Sequence, residues 1–210
     1  MKSISLDKID EQIIHLLFQD GRMSLKEIGE KIAKINDGRP LSHVTVRNRI
    51  NKLIPAVMKI QVNINIKALD RESIYILIET KDYDTQRKMK EQARLCPRIV
   101  SLETISGKFN LIMRIISEKM SDINCFVSNV IQSDDMIRNY QILHCSEQIK
   151  PKFLPVNSTD HEKCRLLRTP CGHNCTFCPM YKDAVCSGCP ASYFSKTTYN
   201  NLIQSQQKDE

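Results

Sequence analysis

The sequence predicts an α+β protein with an N-terminal winged helix-turn-helix, a βαββαβ ferredoxin-like domain and a small Cys-rich segment. Three helical apolar patterns separated by turn signals occupy the first 59 residues. Strand and helix patterns then alternate in the ferredoxin-like order. Six of the nine cysteines fall between Cys164 and Cys189. The chain is accordingly divided into six predicted parts: 1–59 (helical), 60–67 (linking strand), 68–150 (ferredoxin-like), 151–163 (linker), 164–199 (Cys-rich) and 200–210 (mobile tail).

The composition indicates a globular protein that stays inside the cell. Of the 210 residues 41% are hydrophobic, and the formal net charge is +7, which suits an acidic partner without requiring one. No stretch approaches the roughly 18 apolar residues of a membrane span, so we expect no membrane association. The first residues lack the apolar core of a secretory signal, which predicts a cytoplasmic protein with reduced thiols.

Two helices are predicted before the first long turn. Asp7 is placed to cap a helix whose apolar face carries Ile9, Ile13, Leu16 and Leu17. Ser24, with Glu27 three residues later, has the capping-box pattern of a second helix. The run 36–40 contains Asn, Asp, Gly and Pro and ends that helix.

A third helix is predicted after Ser42, and its two faces differ in chemistry. Val46, Ile50 and Leu53 lie within about 60° of one another and would face the core. The opposite side is rich in donors, and no Asp or Glu occurs from Gly38 to Leu69. Such a face suits the base edges of a major groove with phosphates alongside, although a solvated basic face of a plain three-helix bundle is the alternative. The candidate DNA contacts are Arg39, Ser42, His43, Val44, Thr45, Arg47, Asn48, Arg49, Asn51 and Lys52.

The segments 6–10, 20–24 and 41–50 together resemble the leucine-responsive regulator/AsnC (Lrp/AsnC) family of bacterial and archaeal transcription regulators. The resemblance covers about residues 5 to 150. It implies a winged helix-turn-helix followed by a βαββαβ domain that forms dimers and often binds an amino acid. Two features depart from the family pattern: the turn 33–40 is several residues longer, and Pro55-Ala56 replaces the usual glycine before the wing.

The middle of the chain predicts a half-buried strand at 60–67 and then a ferredoxin-like domain. Strands are expected at 73–79, 99–106, 110–116 and 136–145, and helices at 83–95 and 121–131. Both helices can pack on one face of the sheet, and a second copy is the simplest cover for the other face. A homodimer at least is therefore expected, with two recognition helices roughly 34 Å or a multiple apart on double-stranded DNA.

The loop between the second and third strands is the candidate effector site. In the family a small molecule often lies near a glycine and an aspartate in this loop. Here the glycine is Gly107, and Asn110 stands where the aspartate would be. Because Asn110 carries no charge for an ammonium group, Gly107 serving only the tight turn is the alternative interpretation.

The Cys-rich segment is a candidate metal site. Cys175/Cys178 and Cys186/Cys189 have the two-residue spacing with which paired thiolates hold one metal ion, and Cys164, Cys171, His161 and His173 are further candidates. A structural Zn²⁺ is the preferred assignment, and an iron–sulfur cluster is the alternative. Redox-active thiols or disorder are the remaining interpretations.

These features together predict a dimeric, sequence-specific transcription regulator, modulated by a small effector or by the metal or redox state of its cysteine cluster. A nonspecific DNA-organising protein is one alternative, and an iron–sulfur redox protein is another. The sequence contains no acid–base pair, phosphate loop or nucleophile constellation, so we expect no enzymatic activity.

Overall fold

The computed structural model describes residues 5–54, 56–155, 169–170 and 172–195. Its contacts divide the chain into two compact units, Met1–Gln61 and Val62–Glu210. Cys164, Cys171, His161, residues 156–163 of the predicted linker and the tail 200–210 lie outside the described residues. None of the helices within the described ranges is long and apolar enough to cross a membrane.

The first unit contains the three predicted helices. Helix α1 is Lys8–Gln19, α2 is Leu25–Ile32 and α3 is His43–Leu53. Asp7, Ser24 and Ser42 are the N-caps, as predicted, because each side chain accepts a hydrogen bond from a backbone N–H in the first turn. The shared core is apolar throughout and consists of Ile13, Leu16, Ile28, Ile32, Val46, Ile50 and Leu53.

The long turn between α2 and α3 is internally hydrogen-bonded. A 3₁₀ turn at Ala33–Ile35 continues from α2, and the N–H of Gly38 donates to the Ala33 carbonyl at 2.9 Å. The Asn36 side chain donates to the Arg39 carbonyl at 2.8 Å. The extra residues thus form a compact loop that presents Arg39 to solvent.

The predicted strand at 60–67 is not formed. Ile64 makes a single antiparallel bridge with Leu154, and a 3₁₀ turn at Lys67–Leu69 follows. Ile60 and Val62 are 51% and 79% exposed. An alternating pattern becomes a strand only where a neighbouring backbone accepts its hydrogen bonds, and a single bridge supplies one such place. The predicted wing is also absent, since the described residues of the first unit contain no strand.

The second unit has the predicted ferredoxin-like order. The elements are β1 at Glu72–Thr80, α4 at Tyr83–Leu95, β2 at Ile99–Thr104, β3 at Leu111–Ser117, α5 at Met120–Phe126 and β4 at Ile137–His144. The four strands pair antiparallel in the order β2-β3-β1-β4. Helix α5 continues into a π-helical segment at Val127–Gln132, where the helix widens to accommodate an extra residue per turn.

The two faces of this sheet are covered differently. One face packs on α4 and α5 through a core that includes Ile76, Met113 and Phe126. The register places Tyr75 and Leu77 on the opposite face, beside Arg114 and Ile112. Tyr75, Leu77 and Ile112 are only partly buried in the single chain. The second face is therefore the one that needs a cover.

Gly29 in α2 is required by the packing of the first unit. A Cβ at this position would lie 2.2 Å from the Leu41 carbonyl oxygen. We expect Gly29→Ala to lower the free energy of unfolding by roughly 1–3 kcal/mol, because backbone must move to admit the methyl group. Urea denaturation followed by circular dichroism measures this. Gly21→Ala is the matched control, since its Cβ would meet only the Leu17 oxygen at 3.8 Å. Equal stabilities of the two variants would contradict the assignment.

Candidate nucleic-acid interface and cysteine cluster

Helix α3 divides cleanly into a buried face and an exposed face. Val46, Ile50 and Leu53 are buried in the core, as predicted. All but one of the candidate DNA contacts are exposed: Arg39, Ser42, His43, Val44, Thr45, Arg47, Asn48, Asn51 and Lys52. Val44 is 50% exposed although it is apolar. The exposed face thus presents cations, amides and one aliphatic group without a carboxylate among them.

The first turn of α3 is held by two hydroxyl groups. The Ser42 Oγ accepts a hydrogen bond from the Thr45 N–H at 3.1 Å, and the two hydroxyls lie 2.9 Å apart. Ser42 therefore has a capping role whether or not it meets a ligand.

Arg49 is the exception among the candidate contacts, because its guanidinium is paired within the protein. Its Nη1 lies 2.7 Å from Asp7 Oδ2 and 2.7 Å from Asp10 Oδ1. Asp10 is 2% exposed, and the two aspartates also form the capping box of α1. The hydrogen bond from Arg49 lowers the pKa of Asp7, and the same pairing raises the pKa of Arg49. Through these two contacts Arg49 holds α3 against α1.

The candidate effector loop is tied to β1 through Asn110. Its Oδ1 accepts from the Thr80 N–H at 3.1 Å, and its Nδ2 donates to the Thr80 carbonyl at 3.0 Å. Gly107 has a φ of 138°, and open space surrounds the position of its missing Cβ. The side chain of Asn110 is thus engaged in hydrogen bonds to Thr80, whereas the backbone at Gly107 is exposed to solvent.

The described part of the Cys-rich segment packs on the ferredoxin-like domain. Cys175 and Cys178 flank a 3₁₀ turn, and Cys186 and Cys189 lie in the loop after a short helix at Pro179–Lys182. These four cysteines line one cavity of about 50 Å³ with His173. Cys96 and Cys125 of the ferredoxin-like domain line the same cavity, and sequence spacing gave no signal for either.

The thiols of Cys125 and Cys186 line the same cavity and shift each other's pKa. Interaction with Cys186, together with burial, raises the pKa of Cys125, and the same interaction lowers the pKa of Cys186 to about 7. Asn129 Nδ2 lies 3.1 Å from Cys125 Sγ and 3.9 Å from Cys178 Sγ. None of Cys125, Cys175, Cys178 and Cys186 is in a disulfide. Among the described residues, no three His, Cys, Asp or Glu side chains are placed so that they could together hold a metal ion.

A buried ion pair holds the loop 186–189 on the domain. Arg98 and Asp122 are 7% and 0% exposed, with Nη2 and Oδ2 3.4 Å apart. Arg98 donates to the Gly188 carbonyl at 2.7 Å, and Asp122 accepts from the Ser187 N–H at 2.6 Å. Arg98 and Asp122 therefore each form a hydrogen bond with the loop in addition to their ion pair. These hydrogen bonds offset part of the free-energy cost of removing the two charges from water.

Comparison with known proteins finds two family models along the chain. The AsnC-type helix-turn-helix domain matches residues 6–54, and the Lrp/AsnC ligand binding domain matches residues 73–155. Together the matches span well over half of the chain and end before the Cys-rich segment.

Individual relatives agree with these family models. An HTH-type transcriptional regulator of Pyrococcus abyssi is 28% identical over 141 residues, which are 66% of this chain and 84% of the relative. One of Haemophilus influenzae is 25% identical over 144 residues, covering 66% and 82%.

Solved structures share the fold of most of this chain. A Neisseria meningitidis transcriptional regulator in complex with L-Met has a TM-score of 0.59 at 20% identity, covering 75% of this chain and 99% of that one. AsnC of E. coli has a TM-score of 0.56 at 18% identity, covering 70% and 95%. At these identities the likeness concerns the fold alone.

The different roles of Arg49 and Arg47 give a matched stability test. Arg49→Ala leaves the buried Asp10 carboxylate without its cation, so we expect the free energy of unfolding at neutral pH to fall by roughly 1–3 kcal/mol. Arg47→Ala, on the exposed face of the same helix, should change it little. Denaturant melts of both variants measure the difference.

The pH dependence of this loss follows from Asp7, whose pKa is lowered from 3.8 in the folded state. A lowered carboxyl pKa stabilises the fold fully above about pH 4 and loses that effect as pH falls through the folded value. Wild type and Arg49→Ala differ in their free energy of unfolding, and the part of this difference that comes from Asp7 should therefore disappear below pH 4. A gap that widens in acid would contradict the pairing.

Proposed function

Because the chain belongs to the Lrp/AsnC family of transcriptional regulators, we propose that α3 reads specific sites in double-stranded DNA and that the ferredoxin-like domain joins two copies and receives a small effector. The observation that carries this proposal is the exposed, carboxylate-free face of α3 opposite a fully buried one. A helix anchored on one side and rich in donors on the other is what a major groove accepts.

The groove-facing residues follow from exposure and chemistry. Arg47 can pair with guanine, Asn48 and Asn51 can pair with adenine, and Val44 offers an apolar surface to a thymine methyl group. Arg39 and Lys52 flank this face and supply phosphate contacts, which carry most of the affinity. We leave Arg49 out of the contact set because its guanidinium is held by Asp7 and Asp10.

The second face of the sheet supports a homodimer. Tyr75, Leu77 and Ile112 would be covered by the same face of another copy, as an isologous interface requires. Arg114 is 5% exposed on this face, stacks over the Tyr75 ring at 5.0 Å and donates to the Ser73 Oγ at 3.1 Å. Its guanidinium is thus held by an aromatic ring and a hydroxyl group, and no salt bridge to it occurs among the described residues.

The effector is proposed to bind at the loop that contains Gly107 and Asn110. The N. meningitidis regulator named above is in complex with L-Met, which supports a small-molecule ligand for this domain type. Here Asn110 is uncharged and bonded to Thr80, so an effector would meet the backbone at Gly107 rather than a carboxylate. The proposed effector class is therefore a small polar molecule that does not depend on an ammonium group for recognition.

Sequence-specific binding is tested through Arg47. A binding site is first selected from random duplexes with the wild-type protein. Arg47→Ala should then weaken binding to that site about tenfold to a hundredfold, since a bidentate base contact is worth roughly 1–3 kcal/mol. Fluorescence anisotropy at fixed salt measures the affinity. Arg87→Ala, on α4, makes the same charge change and should leave it near wild type.

A protein that binds DNA without sequence preference would give a different result. Failure to enrich any sequence, together with a steep salt dependence and equal binding to unrelated duplexes, would identify a nonspecific DNA-organising protein instead.

The proposed dimer face is tested through Leu77. Leu77→Lys places a cation at the centre of the open sheet face and should shift the protein from dimer to monomer in sedimentation or light scattering. Leu95→Lys is the control, because it makes the same substitution at an exposed position at the end of α4. An unchanged mass for Leu77→Lys would exclude this face as the interface.

A further inference from the structure

We propose that an extended acidic segment of a partner protein binds along the outer edge of β2. The backbone of this segment pairs with β2, and its carboxylates lie beside Lys90 and Arg94 of α4. The surface belongs to the second unit alone, so it does not rest on the DNA-binding function proposed above.

A groove of about 320 Å³ lies between α4 and the edge of the sheet. It is lined by Lys90, Ala93 and Arg94 of α4 and by residues 99–102 of β2. This volume falls within the range of about 300–1,000 Å³ that is usual for ligand sites in proteins. One side of the groove is therefore a cationic helix surface, and the other side is an edge strand with apolar side chains.

β2 is an edge strand whose outer backbone groups are available for pairing. Among the described strands it pairs with β3 alone, at the end of the order β2-β3-β1-β4. An edge strand leaves alternate N–H and C=O groups unpaired, and a further strand can add there. Lys or Pro commonly protects such an edge, and residues 99–104 contain neither, whereas the other edge strand carries Arg138. The sequence of β2 therefore does not oppose strand addition.

The four cations of α4 have different surroundings. Arg87 and Lys88 each form an ion pair with an aspartate. Lys90 and Arg94 line the groove and have no ion pair among the described residues. Because these two residues are four positions apart, they lie on the same face of the helix, where like charges repel and lower its stability. A carboxylate bound between them offsets that repulsion.

The carboxylate of β2 itself lies away from the groove. Glu103 is the one charged residue of this strand, and it pairs with Ile112 on the open face of the sheet. Leu102 pairs with Met113 of the core and therefore lies on the face that packs on α4. In an added strand, alternate side chains would point toward α4 and its two free cations. An alternation of acidic and apolar residues thus suits this edge.

Binding of synthetic peptides to the full chain tests the proposed surface. The probe is a short fluorescein-labelled peptide of alternating Val and Glu, and its basic counterpart alternates Val and Lys. Fluorescence anisotropy at fixed salt should show saturable binding of the acidic peptide and at least tenfold weaker binding of the basic one. A Val–Glu peptide with every backbone nitrogen methylated keeps the charge but cannot donate hydrogen bonds to β2. It should also bind at least tenfold more weakly.

Matched variants of α4 assign the binding to the groove. Lys90→Ala combined with Arg94→Ala should weaken binding of the Val–Glu peptide about tenfold, because both groove cations are removed. Arg87→Ala combined with Lys88→Ala makes the same charge change on the same helix outside the groove, and should bind like wild type. The comparison of methylated and unmethylated peptides on wild-type protein remains decisive should either variant fail to fold.

Five results would overturn the proposal. No saturable binding of the Val–Glu peptide, or equal binding of its methylated form, excludes strand addition. Equal losses in the two double variants identify nonspecific attraction to a basic helix. A smaller assembly of the Lys90→Ala/Arg94→Ala variant in light scattering shows that another copy of this chain occupies the edge. Displacement of the peptide by the DNA site selected above assigns the groove cations to phosphates.

Discussion

The attachment of α3 to α1 through Arg49 is the contact on which the DNA-binding unit depends. One guanidinium reaches two carboxylates, and those carboxylates also cap α1. The hydrophobic effect that buries the core is not directional, so a directional contact adds a restraint that apolar burial does not supply. The ionic contact fixes the rotation of α3, and with it the direction in which Arg47 and Asn48 point.

The second unit also contains an ion pair that positions a segment, and this pair is more deeply buried. Arg98 and Asp122 form a pair inside the protein, and both bond the loop that carries Cys186. Burying two charges is costly unless their remaining hydrogen-bonding groups are satisfied. The loop satisfies part of that requirement, so the Cys-rich segment completes the polar interior of the domain.

Local patterns determined which parts of this architecture the sequence could predict. Asp7 and Ser42 mark the starts of α1 and α3 in the sequence, because a capping side chain accepts its hydrogen bond from a backbone N–H only two or three residues later. The partners of Arg49 lie 39 and 42 residues away, and Cys125 shares a cavity with cysteines that follow it by still longer intervals, so no spacing rule identifies either arrangement. The strand expected at 60–67 failed for a related reason: alternation describes a side-chain pattern and does not supply a partner strand.

The separation of the two faces of α3 has an evolutionary consequence. Val46 and Ile50 hold the fold, whereas Val44, Arg47 and Asn48 are exposed and contribute little to its stability. Substitutions on the exposed face can therefore accumulate at little thermodynamic cost. Duplicated copies of such a gene could change this face while remaining stably folded, so the surface proposed to read DNA can diversify faster than the scaffold that carries it.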